Sequence, residues 1–230
     1  MSGPETLNTD RLCLCQFLWS NLDHCTFLAE LETTLQIPNG RPEKTAIRSS
    51  NDAKQSLYHD HQFQWSRHGY GTYVILLKIT SLSQKTIGQA PTDPRYYTPI
   101  GKICLTTWDP SSPIHATELF VSIIPDYQGH GYATEATRAL LDFLRAQYKL
   151  TEFFGFAVLG TPYTDAARAF ARKLGLRERG LAKRYHSNGM ILATMGIGKE
   201  TFLHASTPLM SDGDLMDVEL DESCGNMYFE

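Results

Sequence analysis

The sequence predicts one α/β domain of about seven strands and about four helices, and three observations carry that prediction. At 230 residues the chain is long enough for one such domain with a sizeable core, and short for two. Its apolar pattern switches between a strand period of two and a helix period of about 3.6. A strand also feeds directly into a strongly periodic helix through a turn that holds Gly129 and Gly131.

The elements follow in order. Residues 11–17 alternate and read as a first strand. Ser20, Asn21 and Asp23 resemble a helix start with a capping side chain, and a helix to about Thr34 follows. Ile37-Pro-Asn-Gly-Arg-Pro42 is turn chemistry, with Pro42 suited to the first position of a second helix running to about Arg67. His68-Gly-Tyr-Gly71 breaks that helix, and residues 72–79 form a β-branched and aromatic strand. Residues 81–99 make a long connection with three prolines, of a length that is usually functional or mobile. Residues 101–108 and 118–124 read as the third and fourth strands. In residues 132–148, Ala133, Ala136, Leu140, Leu141, Leu144 and Tyr148 fall on one helical stripe. A strand at 153–159 and a helix at 164–174 closed by Gly175 come next. Residues 178–185 and 190–197 form a hairpin across His186-Ser-Asn-Gly189.

Composition narrows the function. With 42% hydrophobic and 20% charged residues, the chain reads as an ordinary globular protein. The net charge of −4 is unevenly placed: all 21 Lys and Arg lie at or before Lys199, and eight acids follow it. A mildly basic body suits an anionic ligand but is far from a nucleic-acid footprint. The domain is therefore expected over residues 9–199, with 200–230 as an acidic, solvated tail. Five cysteines with no C-x-x-C pair argue against a disulfide framework, and Cys13 and Cys15 read as small hydrophobes on one strand face. No secretory signal is visible and the longest apolar run, residues 73–77, is too short to span a membrane. A reducing, cytoplasmic setting without membrane contact is expected.

The chemistry centres on Tyr127-Gln128-Gly129-His130-Gly131-Tyr132-Ala133. Two glycines let backbone N–H groups converge without Cβ obstruction. The helix start adds unsatisfied donors and partial positive charge, so the turn can cradle a pyrophosphate. A dinucleotide fingerprint is absent, because its third glycine position is Thr134, and no Lys-Ser/Thr pair marks a nucleoside triphosphate site. By itself such a turn could equally cap a strand–helix junction.

With its flanks the motif becomes specific. Gln128-x-x-Gly131-x-Ala133, within the element order β-α-α-β-β-β-α-β-α-β-β, resembles the signature of the GCN5-related N-acetyltransferase superfamily over residues 100–199. Thr9-Asp10-Arg11-Leu12 and Arg179-Gly-Leu-Ala-Lys-Arg-Tyr-His-Ser-Asn-Gly189 look like the branch of ribosomal-protein N-terminal acetyltransferases. That branch acetylates protein N-termini in some members and small amines in others. The resemblance implies a mixed central sheet, acetyl-CoA or another acyl-CoA as co-substrate, and a small-molecule or peptide amine as acceptor. It also implies a pantetheine arm beside Val121, Ser122 and Ile123, and a diphosphate on the amides of Gly129, His130, Gly131, Tyr132 and Ala133 next to Gln128. Thr164 falls where the family usually has Asn, and Arg168 or Arg172 could touch a phosphate or simply be solvated. No metal is implied, and a monomer and a homodimer are both open.

Catalytic candidates follow from what amine acetylation needs. Amines with pKa near about 10 are mostly protonated at neutral pH, so a base must accept a proton. Glu118, heading the fourth strand, is the first candidate and His115 the next; a structural ion pair is the alternative for Glu118. In Lys173-Leu-Gly-Leu176 the family pattern places a Tyr where Ala171 stands. Alanine cannot protonate the leaving thiolate, and a general acid is worth about 10²–10⁴ in rate. Tyr185, Tyr163 or water could substitute. The gap keeps open a GNAT-fold enzyme with other chemistry (O-acylation, decarboxylation or cyclisation) and a non-catalytic CoA-binding protein. Tyr96, Tyr97, Trp108 and Tyr185 suggest an aromatic acceptor pocket or ordinary core aromatics.

Overall fold

The structure, a computed structural model, describes residues 6–35, 47–79, 96–107, 117–158, 164–183, 191–197 and 216–217. The α/β class holds, with a mixed sheet and four main helices among the described residues. The chain divides into two compact units: Met1–Gln36, Ile47–Leu105 and Val121–Lys149 form the first, and Ile37–Ala46, Thr106–Phe120 and Leu150–Glu230 the second.

In the first unit, strands β1 (Thr6–Asn8), β2 (Leu12–Gln16), β3 (Tyr73–Lys78) and β4 (Tyr97–Thr107) lie side by side, β1 to β4 antiparallel, followed by residues 121–123 of β5 (Thr117–Ile123). Alternation along β2 sends Cys13 and Cys15 into a core with Phe27, Leu28 and Leu31 of α1 (Leu22–Leu35) and Ala53 and Leu57 of α2 (Ser50–Asp60). Burial pushes the Cys13 and Cys15 thiols up to about 11 and about 12, so both stay protonated and act as hydrophobes. Leu12 and Leu14 alternate to the other face. Helix α3 (Tyr132–Tyr148) packs across β1 and β2. Its Leu140, Leu141 and Leu144 are buried, each contributing roughly 1.5–3 kcal/mol.

Three boundaries differ from expectation. Asn21 caps α1 as expected, its Oδ1 accepting from the N–H groups of Asp23 and His24. The second helix begins at Ser50 rather than Pro42. Ser49 is extended at φ −139° and forms a reciprocal capping box with Asp52, and residues 36–46 lie outside the described residues. This helix continues through a π-turn, His61–Trp65, and ends at Gly69 in the left-handed region, φ 79°. Strand β4 starts at Tyr97, inside the expected connection. Proline cannot donate to a ladder, and Pro99 sits opposite Leu76 where the register shifts. A short β1 also precedes the expected first strand, so the expected fourth strand is β5.

In the second unit, residues 117–120 of β5 pair in parallel with β6 (Phe153–Val158), Thr117 opposite Phe153 and Glu118 opposite Phe154. β6 pairs antiparallel with β8 (Ile191–Ile197), which pairs antiparallel with β7 (Arg177–Lys183), the expected hairpin strands. Its 184–190 turn lies outside the described residues. β7 pairs in parallel with β9 (Met216–Asp217), a piece of the acidic tail. Helix α4 (Thr164–Lys173) packs on β6. It closes as expected on Gly175, φ 79°: Leu176 N–H donates to Ala171 O and Gly175 N–H to Arg172 O, a Schellman cap.

Candidate functional site

The glycine turn is built within the first unit. Ile124 N–H donates to Ile100 O on β4 at 2.9 Å. A trans peptide holds C=O and N–H on opposite sides, so the Ile123 carbonyl points away from β4. There it accepts Gln128 Nε2 at 2.8 Å, and the strand end is tied to the turn. Between them Pro125–Tyr127 makes one 3₁₀ turn, with Tyr127 and Gln128 N–H groups returning to Ile124 O and Pro125 O.

Gly129 (φ 79°) and Gly131 (φ 82°) both adopt the left-handed conformation, and Gly131 is the N-cap of α3 with no side-chain capping bond. Residues 128–131 are exposed. The first-turn N–H groups of an α-helix have no intrahelical partner, so they face outward as donors beside an exposed turn. Among the described residues beyond its chain neighbours, a Cβ on Gly129 would meet nothing within 4 Å, and one on Gly131 would meet Arg11 Nη2 at 3.7 Å. The described residues leave this space open, as an anion cradle requires. His130 is exposed, its Nδ1 2.8 Å from Gln128 O and its ring stacked on Tyr132.

Beside the turn, Ser122 and Ile123 are buried and Val121 is half-buried. Strand β4 comes very close here: a Cβ on Gly101 would lie 2.1 Å from the Ser122 carbonyl oxygen. The structure thus brings Val121, Ser122, Ile123, Gln128, Gly129, His130, Gly131, Tyr132 and Ala133 together in one unit. Glu118, Thr164 and Arg168 belong to the second unit. Glu118 is buried on β5, Thr164 opens α4, and Arg168 O accepts the Nε–H of the exposed Arg172. Ala171 is buried in α4. His115, Tyr163, Trp108 and Tyr185 lie outside the described residues, and Tyr97 packs against the first unit's core.

Arg11, Thr9 and Glu135 were not anticipated as site residues. The Glu135 carboxylate accepts from Thr9 Oγ1 (2.5 Å), Arg11 N (3.2 Å) and Arg11 Nε (2.7 Å), and pairs with Arg11 Nη2 (2.6 Å). Partial burial would raise its pKa, but the hydrogen bonds from Thr9 and Arg11 outweigh that and hold it below the ordinary value. The available signal was an acid in the first helical turn directly after the glycines.

Known proteins agree with this architecture. The chain belongs to the acetyltransferase (GNAT) family, whose model matches residues 47–176. Among solved structures it is similar to a ribosomal L7/L12 alpha-N-protein acetyltransferase, RimL, in complex with coenzyme A. That match has 14% identity over 86% of this chain and 99% of that one, with a TM-score of 0.61. A ribosomal-protein-S5-alanine acetyltransferase from Vibrio fischeri matches at 13% identity over 86% and 98% of the two chains, TM-score 0.61. A putative GnaT-family acetyltransferase from Bordetella pertussis matches at 17% identity over 85% and 100%, TM-score 0.61. No curated protein matches the sequence significantly. Among the described residues, no helix is long and apolar enough to cross a membrane.

Proposed function

We propose that this protein transfers an acetyl group from acetyl-CoA to an amine by direct attack of the nitrogen on the thioester, releasing coenzyme A. The observation that carries this reading is the double left-handed turn at Gly129 and Gly131, which opens α3 immediately after β5 and leaves open space beside its N–H groups. Gly129, His130, Gly131, Tyr132 and Ala133 would hold the diphosphate, and the β5 segment Val121, Ser122 and Ile123 would lie along the pantetheine. Of these, Ser122 is held against β4, and the Ile123 carbonyl faces the opposite edge.

Glu118 accepts the proton of the amine, directly or through water, with His115 as the alternative base and Tyr185 as a proton donor to the leaving thiolate. Thr164 and Arg168 contribute to co-substrate binding from α4. A thiol with pKa near about 8.5 is a tolerable leaving group even without a strong acid, so Ala171 slows the reaction rather than forbidding it. The ribosomal-protein acetyltransferases among the similar structures favour a protein N-terminus over a small amine as acceptor. Residues 9–199 form the catalytic domain in this proposal, acting in the cytoplasm.

A second reading rests on Ala171, buried in α4 where the family usually places Tyr: the same fold running other thioester chemistry. Mass spectrometry of products from acetyl-CoA with a panel of peptides, small amines and alcohols separates the two. An acetylated amine supports the first; an ester product, or coenzyme A release without any acetylated amine, supports the second.

A further inference from the structure

The N-terminal strand region reaches the glycine turn through one side chain. Arg11 touches three residues that flank Gly131. Its Nε and Nη2 bind the Glu135 carboxylate, its Nη1 donates to the His130 carbonyl at 3.1 Å, and its guanidinium lies 4.6 Å from the centre of the Tyr132 ring. Thr9 adds its hydroxyl to the same carboxylate, and the Thr9 carbonyl is in turn held by Lys78 Nζ at 2.6 Å. Residues about 124 positions apart are thereby fastened together.

This arrangement answers an electrostatic problem. A carboxylate in the first turn of a helix complements the dipole, but an anionic ligand at the same helix end meets it as a like charge. Glu135 is in that position, one helical turn from Gly131, whose carbonyl accepts the Glu135 N–H at 3.0 Å. Four donors satisfy its two oxygens, and the Arg11 guanidinium balances its charge. The Arg11 side chain is 47% exposed and that of Glu135 21%, so this bidentate pair contributes more to folding than an ordinary surface pair. The clasp also acts on what stands beside it. Of the five guanidinium N–H groups, three are engaged among the described residues, and the other two belong to Nη1 and Nη2. Among the described residues outside the turn's own backbone, Nη2 is also the atom nearest to where a Cβ on Gly131 would sit.

We propose that Arg11 is a positioning residue of the acyl-CoA cradle: clasped on Glu135, it fixes the glycine turn through the His130 carbonyl and cancels a negative charge that would otherwise repel the diphosphate. This rests on the functional reading above and adds to it a residue outside the glycine motif. Calorimetric titration with acetyl-CoA, paired with thermal melts of the unliganded proteins, tests it in Arg11→Gln, Arg11→Lys, Glu135→Gln and the Arg11→Gln/Glu135→Gln double variant. Loss of a charge-assisted bond and exposure of Glu135 should weaken Arg11→Gln about tenfold or more. Arg11→Lys keeps the charge without the fork and should fall between it and wild type. The double variant, freed of the repelling charge, should bind more tightly than Arg11→Gln by about threefold or more. A double variant no better than Arg11→Gln, or Arg11→Gln within about twofold of wild type, overturns the clasp. If Arg11→Gln fails to fold, Arg11→Lys with wild-type affinity overturns it equally. Wild-type protein that does not bind acetyl-CoA overturns the functional reading instead.

Discussion

Gln128 holds Ile123: its side-chain amide donates to the Ile123 carbonyl at 2.8 Å and locks the end of β5 onto the turn that opens α3. The tie joins the two halves of the proposed cradle, the strand beside the pantetheine and the loop beneath the diphosphate. A typical hydrogen bond of this kind is worth about 0.5–1.5 kcal/mol net. Gln128→Ala should weaken acetyl-CoA binding by roughly threefold to tenfold and lower the stability of the free protein by no more than the about 0.5–1.5 kcal/mol that the bond is worth. A calorimetric titration beside a thermal melt checks both.

Gly101 is expected to tolerate nothing larger. In Gly101→Ala the new methyl would sit 2.1 Å from the Ser122 carbonyl and 2.8 Å from Ile123 Cδ1, so β4 and β5 must separate. Destabilisation of about 1–3 kcal/mol is expected from such overpacking, together with loss of acetyl-CoA binding through displacement of Ser122 and Ile123. Urea unfolding and titration of the same variant measure the two effects. Normal stability would show that the strands can part at no cost.

The structure also predicts an acid sensitivity. His24 is buried, which holds its imidazole below the usual value against the opposing pull of Asp23, and its Nδ1 accepts the Leu18 N–H at 3.0 Å. The ring must therefore be neutral in the folded protein. With the folded pKa depressed, the unfolded chain takes up the proton first as pH falls. The stabilisation is full above about pH 6.5 and is lost as pH falls toward and through the folded value. Melting temperatures followed from about pH 8 to about pH 5 should decline on the acid side, and His24→Gln should decline less.

How much of this was legible in the sequence depended on the range of each interaction. The α3 stripe from Ala136 to Leu144 and the Gly175 cap were readable because each is decided within a few residues. The start of α2 was misplaced because Pro42 is a plausible first helical residue, and the capping box of Ser49 with Asp52 was passed over. The start of β4 was missed because Pro99 normally interrupts a strand, and only its pairing with β3 reveals the bulge that accommodates it. The Arg11–Glu135 clasp and the Gly101–Ser122 approach join residues distant in sequence, and neither leaves a periodic trace.

Glu118 carries the proposed base role. Glu118→Gln should lower kcat/KM by about 10²–10⁴ at neutral pH with acetyl-CoA affinity unchanged, since the cradle residues 128–133 are untouched. The deficit should shrink as pH rises toward the acceptor's own pKa, where free amine needs no base. Rates for the variant and wild type across about pH 6 to 9 decide the matter. A pH-independent loss accompanied by a lower melting temperature would mark Glu118 as structural.

The most direct measurement of the central claim is the titration of Gly131→Val with acetyl-CoA. Among the described residues outside the turn's own backbone, the nearest atom to a new Cβ is Arg11 Nη2 at 3.7 Å, an ordinary contact, so they do not exclude a side chain there. The conformational cost at φ 82° is about 1–2 kcal/mol, which the melt of the free variant measures. If the diphosphate occupies the space beside Gly131, wild-type protein binds acetyl-CoA and the folded Gly131→Val protein does not. Wild-type affinity in a folded Gly131→Val protein would contradict the assignment of the acyl-CoA site.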